Sequence, residues 1–344
     1  MSYPIDFVLS WVDGNDPEWI ATRDKYRKDD SAISSAPDAY NENRYRDNGL
    51  LRYWFRGIES LAPWVNHVFF VTDAQVPDWL NLDNPKLIYV DHTDFIPSEF
   101  LPTFNSSTIE MNYHRIKGLS EHFVIFNDDV FLLKPVGEDF FFNEGKPVLD
   151  TRIEYPPKQS DLNWCCDLIN EHNIINSYLK ETGTRDSILK NRSKWFNLRA
   201  LGIKRVCRNL YQYALHRSFP VSTFGHLAFP HLKSSLCEIW ENYPYFMTEA
   251  SSHRFRSDED VNQWLICAWD QAKGMFFPAH RKDLGLLLHY SDYNSELILE
   301  TLRNPRVPVV CLNETEDSIV SENLTSSVCQ AFESILPDKS SFEL

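Results

Sequence analysis

No CxxC pair occurs in the 344 residues, and the seven cysteines (Cys165, Cys166, Cys207, Cys237, Cys267, Cys311 and Cys329) are odd in number and scattered. That pattern argues against a disulfide framework or a zinc site and favours reduced thiols in a cytosolic protein. The start of the chain, Met1-Ser-Tyr-Pro-Ile-Asp6, has neither a basic stretch nor a long apolar run, so no signal peptide is expected. Without such a signal, the glycosylation-type triplets at Asn105, Asn191, Asn313 and Asn323 are read as chance. No apolar run approaches the roughly 20 residues that a bilayer-spanning helix needs. Positive charge is scarce: the formal net charge is -15, which argues against a nucleic-acid partner. Repeats and low-complexity tracts are missing too. What remains is an ordinary globular composition, long enough for one large α/β domain or two smaller ones.

One absence is local. From Ser187 to Cys237 there is no Asp or Glu, yet nine cations occur: Lys190, Arg192, Lys194, Arg199, Lys204, Arg205, Arg208, Arg217 and Lys233. Trp195, Phe196, Leu198, Leu201, Val206, Leu210 and Tyr211 are interleaved with them. Such a stretch suits a basic amphipathic helix meeting anionic headgroups or a phosphorylated acceptor. It equally suits a helix face paired with acids elsewhere in the fold.

What is present is a series of apolar runs that stop at acids. Ile5–Val12 leads into Asp13, Val68–Thr72 into Asp73, Lys86–Val90 into Asp91, and Phe123–Asn127 into Asp128 and Asp129. Each run is expected to be a buried strand. Ligands of open α/β sheets bind at the carboxyl ends of strands. Adjacent carboxylates there call for a cation or hydrogen-bond donors. After the first strand, Gly14 permits a tight turn, Asp16 can cap a helix and Pro17 suits its first turn. The segment Lys28–Asn43 is polar and reads as a loop.

Leu51, Trp54, Phe55, Ile58 and Leu61 make an amphipathic helical stripe. Arg44, Arg46, Arg52 and Arg56 around it could clamp a diphosphate, since guanidinium forks match phosphate oxygens. A short helix after Leu101–Glu110 is expected to carry His114 and Arg115 and to break at Gly118. His226 and His231 flank Pro230, where a base, metal ligands or a plain polar turn all fit. Ser257 is expected to cap a helix that has Asp258, Glu259 and Asp260 in its first turn and ends at Gly274. That helix leaves His253, Arg254 and Arg256 unexplained. Val307–Asn313 reads as a strand, followed by a helix from Ser321 to Leu336.

Four ordered blocks stand out along the chain. The first is Ile5-Asp-Phe-Val-Leu-Ser-Trp-Val-Asp-Gly-Asn-Asp-Pro17. The second runs from Arg46-Asp-Asn-Gly-Leu-Leu-Arg52 to Asn127-Asp-Asp-Val-Phe131. The third joins His226–Pro230 with Ser252-His-Arg-Phe-Arg-Ser257. The fourth is Cys311-Leu-Asn313 with Lys339-Ser-Ser-Phe-Glu343. Together they resemble the Stealth family, sugar-1-phosphate transferases of capsule and exopolysaccharide synthesis. Two positions depart from the family: Trp54-Phe55-Arg56-Gly57 stands where Ser-Leu-Arg-Ser is usual, and Glu314 replaces an Asp. Both bear on sugar selectivity more than on activity.

The resemblance implies an α/β fold with a mostly parallel central sheet and flanking helices, GT-A-like, with a helical insertion. It implies a nucleotide-sugar, typically UDP-linked, over the strand ends near Trp11, Asp13, Gly14, Arg52 and Asp73. Asp128 and Asp129 would hold Mg2+ or Mn2+ across the diphosphate. His226 would be the base for an acceptor hydroxyl, Arg256 would offset phosphoryl charge, and Asp128 would share in catalysis. The expected organisation is 1–150 for the first part of the catalytic domain, 151–220 for a basic helical insertion on the acceptor or membrane side, and 221–344 for the part that completes the domain. The expected partners are a nucleotide-sugar and a polysaccharide or lipid-linked acceptor, with peripheral membrane association at the inner face. A glycosyltransferase releasing UDP shares the same sheet and acids and is the alternative.

Overall fold

The computed structural model describes residues 3–29, 42–159, 163–183, 186–216, 218–221, 225–315 and 317–344. Most of the Lys28–Asn43 loop and Arg217 fall outside them. Among the described residues, eleven strands form three sheets. The first is built of β1 (Ile5–Ser10), β2 (Val68–Thr72), β3 (Leu87–Asp91), β4 (His122–Asn127) and β8 (Phe229–Leu232), in the order β3-β2-β1-β4-β8. The four strands expected from the apolar runs are all mutually parallel, and β8 joins β4 antiparallel. Side chains of β1, β2 and β4 are buried on both faces, while the edge strand β3 is half-buried at Ile88 and Tyr89. The first strand stops at Ser10 rather than Val12, although Trp11 N still bonds Val71 O on β2.

A second sheet, β10-β11-β5, pairs β5 (Val130–Leu132) antiparallel with β11 (Val309–Asn313) and β11 parallel with β10 (Leu286–His289). A third joins β6 (Phe142–Asn143), β7 (Lys146–Asp150) and β9 (Phe277–Ala279). The Leu51–Leu61 helix lays Leu51, Trp54, Phe55 and Ile58 into the core, where Trp54 meets Phe126 edge-on at 5.4 Å. Ser321 caps the Glu322–Ile335 helix by accepting from Leu324 N.

Three expectations change. The helix expected to start at Ser257 begins at Trp264. Asp260 is the reason: its buried carboxylate accepts from Ser257 N at 2.9 Å and from Asn105 Nδ2 at 2.8 Å, and pairs with His253 Nδ1 at 2.7 Å, closing a turn instead of opening a helix. Gly274 does end the helix, with φ +73°. The helix after Leu101 covers Ser106–Met111, and His114 and Arg115 sit in a separate turn at Tyr113–Arg115. Arg56, grouped with the diphosphate clamp, is buried. It holds Glu343 through Nε at 2.8 Å and Nη2 at 3.0 Å, and Glu333 at 2.9 Å, fastening the C-terminal segment.

Asp270, on the Trp264–Lys273 helix, is fully buried; Ser235 Oγ donates to its Oδ1 at 2.5 Å and its Oδ2 has no partner. Burial pushes its carboxyl up to about 8. An acid whose folded pKa lies above its unfolded value stabilises the fold while protonated, and this stability drains away as pH rises toward the folded pKa. Asp270→Asn keeps the shape without the charge. Its expected stability gain over the parent is of order 1–3 kcal/mol at pH about 8 and clearly smaller at pH about 5. Thermal melts of both proteins at the two pH values check this; an equal difference at both would contradict it.

Candidate functional site at the carboxyl edge of the sheet

Register explains how the site assembles. In β4, Ile125 faces Phe229 of β8, so the residues just before β8 run past the end of β4. That brings His226 to Asn127, with Nε2 2.7 Å from Asn127 Nδ2, and to Asp129, with Nε2 3.3 Å from Oδ1. On the other side β5 pairs with β11, and Leu312 N bonds Asp129 O at 2.8 Å. Cys311 Sγ donates to Asp129 Oδ2 at 3.3 Å. The His226 and Asp129 side chains are 35% and 25% exposed, so a ligand can reach both.

Charge is concentrated here. Asp128 is pushed up to about 8 by its surroundings of protein rather than water, and then by the neighbouring charges of Asp129 and Asp47. Burial works against a protonated His226, but the Asp129 carboxylate and then Glu110 outweigh it and leave the imidazole above its ordinary value. The two neighbours of Nε2 suit its two states. The Asn127 amide can donate to a neutral nitrogen, and the Asp129 carboxylate can accept from a protonated one.

Arg256 lies on the loop after the Pro244–Ser252 helix. Its Nη2 donates to Ser106 Oγ at 2.8 Å, and its charge reaches both Glu110 and His226. The loop is braced by its own neighbours. His253 and Asn105 grip Asp260, Phe104 N bonds Arg254 O at 2.8 Å, and the Arg254 guanidinium lies over Tyr26 at 5.0 Å. His253 and Arg254 are thereby spoken for as framework.

Glu110 was not singled out from the sequence. It is buried on the Ser106–Met111 helix and accepts from Gln263 N at 3.1 Å and Nε2 at 3.4 Å. Burial raises its pKa, while Arg256 and His226 pull it down. The available signal is an acid that shares the inward face of a short helix with Ser107 and Met111.

The β1 end carries Asp13 and Gly14. Gln75, also unsuspected, clamps this loop: Asp13 N donates to its Oε1 at 2.9 Å, and its Nε2 donates to Asp13 O at 3.1 Å and to Asp16 Oδ2 at 3.0 Å. Asp16 caps the Pro17–Asp29 helix as expected, accepting from Glu18 N at 2.9 Å. A Cβ on Gly14 would lie 2.0 Å from Tyr45 O, so the glycine serves a close backbone crossing. Gly14→Ala is expected to cost at least about 2 kcal/mol, read as a lower melting temperature; an unchanged melt would contradict the crossing.

Trp11 packs inward, stacked on Phe70 at 5.9 Å, with its Nε1 unpartnered. Arg52 lies over Trp79 at 5.2 Å, and its charge acts on Asp47. Arg46 turns to Glu314 at 2.9 Å, and Asn48 Nδ2 donates to the same carboxylate at 2.6 Å. Asp73 follows the end of β2, with the Asp91 charge beside it and His92 Nδ1 3.8 Å away.

Asp129, His226 and Cys311 offer ligand atoms within 4.8 Å of one another. The Cys311 thiol is held well above its ordinary pKa by burial and the Asp129 charge, and it donates to Asp129. The hard oxygens of Asp129, whose Oδ1 lacks a hydrogen bond, and of adjacent Asp128 fit Mg2+ or Mn2+ better than a soft ion.

A mostly parallel sheet whose carboxyl edge gathers acids, an imidazole and a guanidinium is the ligand site of an α/β protein. Residues 3–31 match Stealth protein conserved region 1, and residues 44–149 match conserved region 2. The capsular polysaccharide phosphotransferase WcwK of Streptococcus pneumoniae is 38% identical over 99% of both chains. The receptor polysaccharide phosphotransferase WefC of Streptococcus oralis is 37% identical over 99% of both. The exopolysaccharide phosphotransferase cps2G of Lactiplantibacillus plantarum is 32% identical over 99% of this chain and 96% of its own. Among solved structures, the galactosyltransferase LgtC with donor and acceptor sugar analogs aligns over 98% of this chain and 96% of that one, at 10% identity and a TM-score of 0.35, which is too loose to carry an argument. The chain belongs to the Stealth family and is a phosphotransferase.

Proposed function

We propose that the enzyme transfers a sugar-1-phosphate from a UDP-sugar to a hydroxyl of a growing, lipid-linked cell-surface polysaccharide at the cytoplasmic face of the membrane. The observation that carries this is the end-to-end similarity to relatives named polysaccharide phosphotransferases. Segments 1–150 and 221–344 together form the catalytic domain, and 151–220 faces the acceptor and the membrane.

The acceptor oxygen attacks the β-phosphorus, a new P–O bond forms, and the bond from that phosphorus to the bridging oxygen breaks. UMP leaves and a phosphodiester remains. His226 takes the hydroxyl proton at Nε2: neutral, that nitrogen accepts from Asn127, and once protonated it donates to Asp129. Arg256, steadied by Ser106, offsets charge on the phosphoryl oxygens, and Glu110 balances Arg256 and His226. Asp13, Gly14, Trp11, Arg52 and Asp73 border the donor. Asp129 and Asp128 would hold a divalent cation, which when bound neutralises diphosphate charge.

Incubating the purified enzyme with a panel of UDP-sugars and acceptor glycan should release UMP with one donor. Release of UDP alone would support attack at the anomeric carbon instead.

A further inference from the structure

We propose that the outward face of the Leu198–Leu215 helix is a docking surface for an anionic lipid bilayer. Gly202, at φ +72°, kinks this helix and separates its first turn from a continuous run after it. Along that run Ile203, Leu210, Tyr211 and Leu215 are 68%, 49%, 63% and 59% exposed. With exposed Cys207 they recur at helical spacing, so they form one apolar stripe that points into solvent. Leu198, just before the kink, is exposed as well.

The helix cannot roll to hide this stripe. On its opposite side Val206 and Asn209 are buried. Asn209 Nδ2 donates to Thr151 O at 2.8 Å and Trp195 O at 2.9 Å, while its Oδ1 accepts from Ile153 N at 3.1 Å.

The cations sort into two groups. Arg205 pairs with Asp150 at 3.0 Å and Arg208 with Glu154 at 2.8 Å, which ties the inner flank to the body. On this helix Arg199 and Lys204 are exposed and have no ion-pair partner among the described residues. An apolar stripe edged by unpaired cations, in a chain of net charge -15, is complementary to negatively charged headgroups over acyl chains. A second copy fits poorly, because a two-fold contact would gather the cations of both faces with no Asp or Glu between Ser187 and Cys237 to offset them. No described helix is long and apolar enough to cross a membrane, so attachment through this face is attachment at the surface. Its purpose, to keep the strand-edge site beside a lipid-borne acceptor, rests on the function proposed above; the docking is tested without turnover.

The test is co-sedimentation of the intact protein with vesicles of phosphatidylcholine, with or without phosphatidylglycerol. The parent should pellet with the anionic vesicles only, and less as salt rises. Ile203→Asp with Leu210→Asp, and separately Arg199→Glu with Lys204→Glu, should each cut the bound fraction about tenfold or more. All four side chains are exposed, so melting temperatures should match the parent. A parent that stays in the supernatant overturns the proposal, as do variants that bind equally well. A dimer in analytical ultracentrifugation that the aspartate pair dissociates, without vesicle binding, also overturns it and assigns the face to a second copy.

Discussion

Asp129→Asn turns over at least about a thousandfold more slowly than the parent and no longer responds to added Mg2+ or Mn2+. The substitution keeps the size of the side chain and the backbone bond to Leu312, so the second sheet stays attached to the first. What it removes is the negative charge on an oxygen that has no hydrogen-bond partner and sits 3.3 Å from His226. Both the cation and the protonated imidazole lose their counter-charge together. Asp128→Asn should lose less, because Asp129 is the carboxylate that also faces His226, at 3.3 Å. Initial rates across a metal titration, with circular dichroism to check the fold, measure both. Equal losses would make the two carboxylates equivalent; full activity in Asp129→Asn would remove it from the machinery.

His226→Ala lowers kcat by about a hundred- to ten-thousandfold, with the KM for the nucleotide-sugar nearly unchanged. On the proposed mechanism the base acts on the acceptor, so donor binding at the β1 end should not depend on it. Added imidazole restores part of the rate, because the cavity left behind is partly open to solvent. A large rise in donor KM with kcat preserved would instead make His226 a donor-binding group.

The main sheet was legible because parallel strands buried on both faces must be continuous apolar runs, and each run here stops at an acid. The edge that carries Asp13, Asp73, Asp128 and Asp129 followed directly. The contact between Asn127 and His226 was not legible as geometry. It bridges 99 positions and depends on β8 entering antiparallel, and Phe229–Leu232 with its central proline does not advertise a strand. Glu110 was hidden for a similar reason: its partners Gln263 and Arg256 lie about 150 positions away. Local signals misled where a long-range bond outcompeted them. Asp260 looked like a first-turn acid and closes a turn around Asn105 and His253. Arg56 looked like a phosphate ligand and holds the C-terminal segment. In the basic stretch Arg205 and Arg208 pair with acids elsewhere in the fold, one of the two expectations, while Lys204 and Arg199 face solvent.

The claim at the centre is that phosphorus, not carbon, is attacked. A UDP-sugar labelled at the β-phosphate decides it. With the cognate donor, acceptor and divalent metal, the label should move into the glycan as a phosphodiester while unlabelled UMP accumulates. Label that stays wholly in UDP, with sugar transferred to the acceptor, would contradict the account.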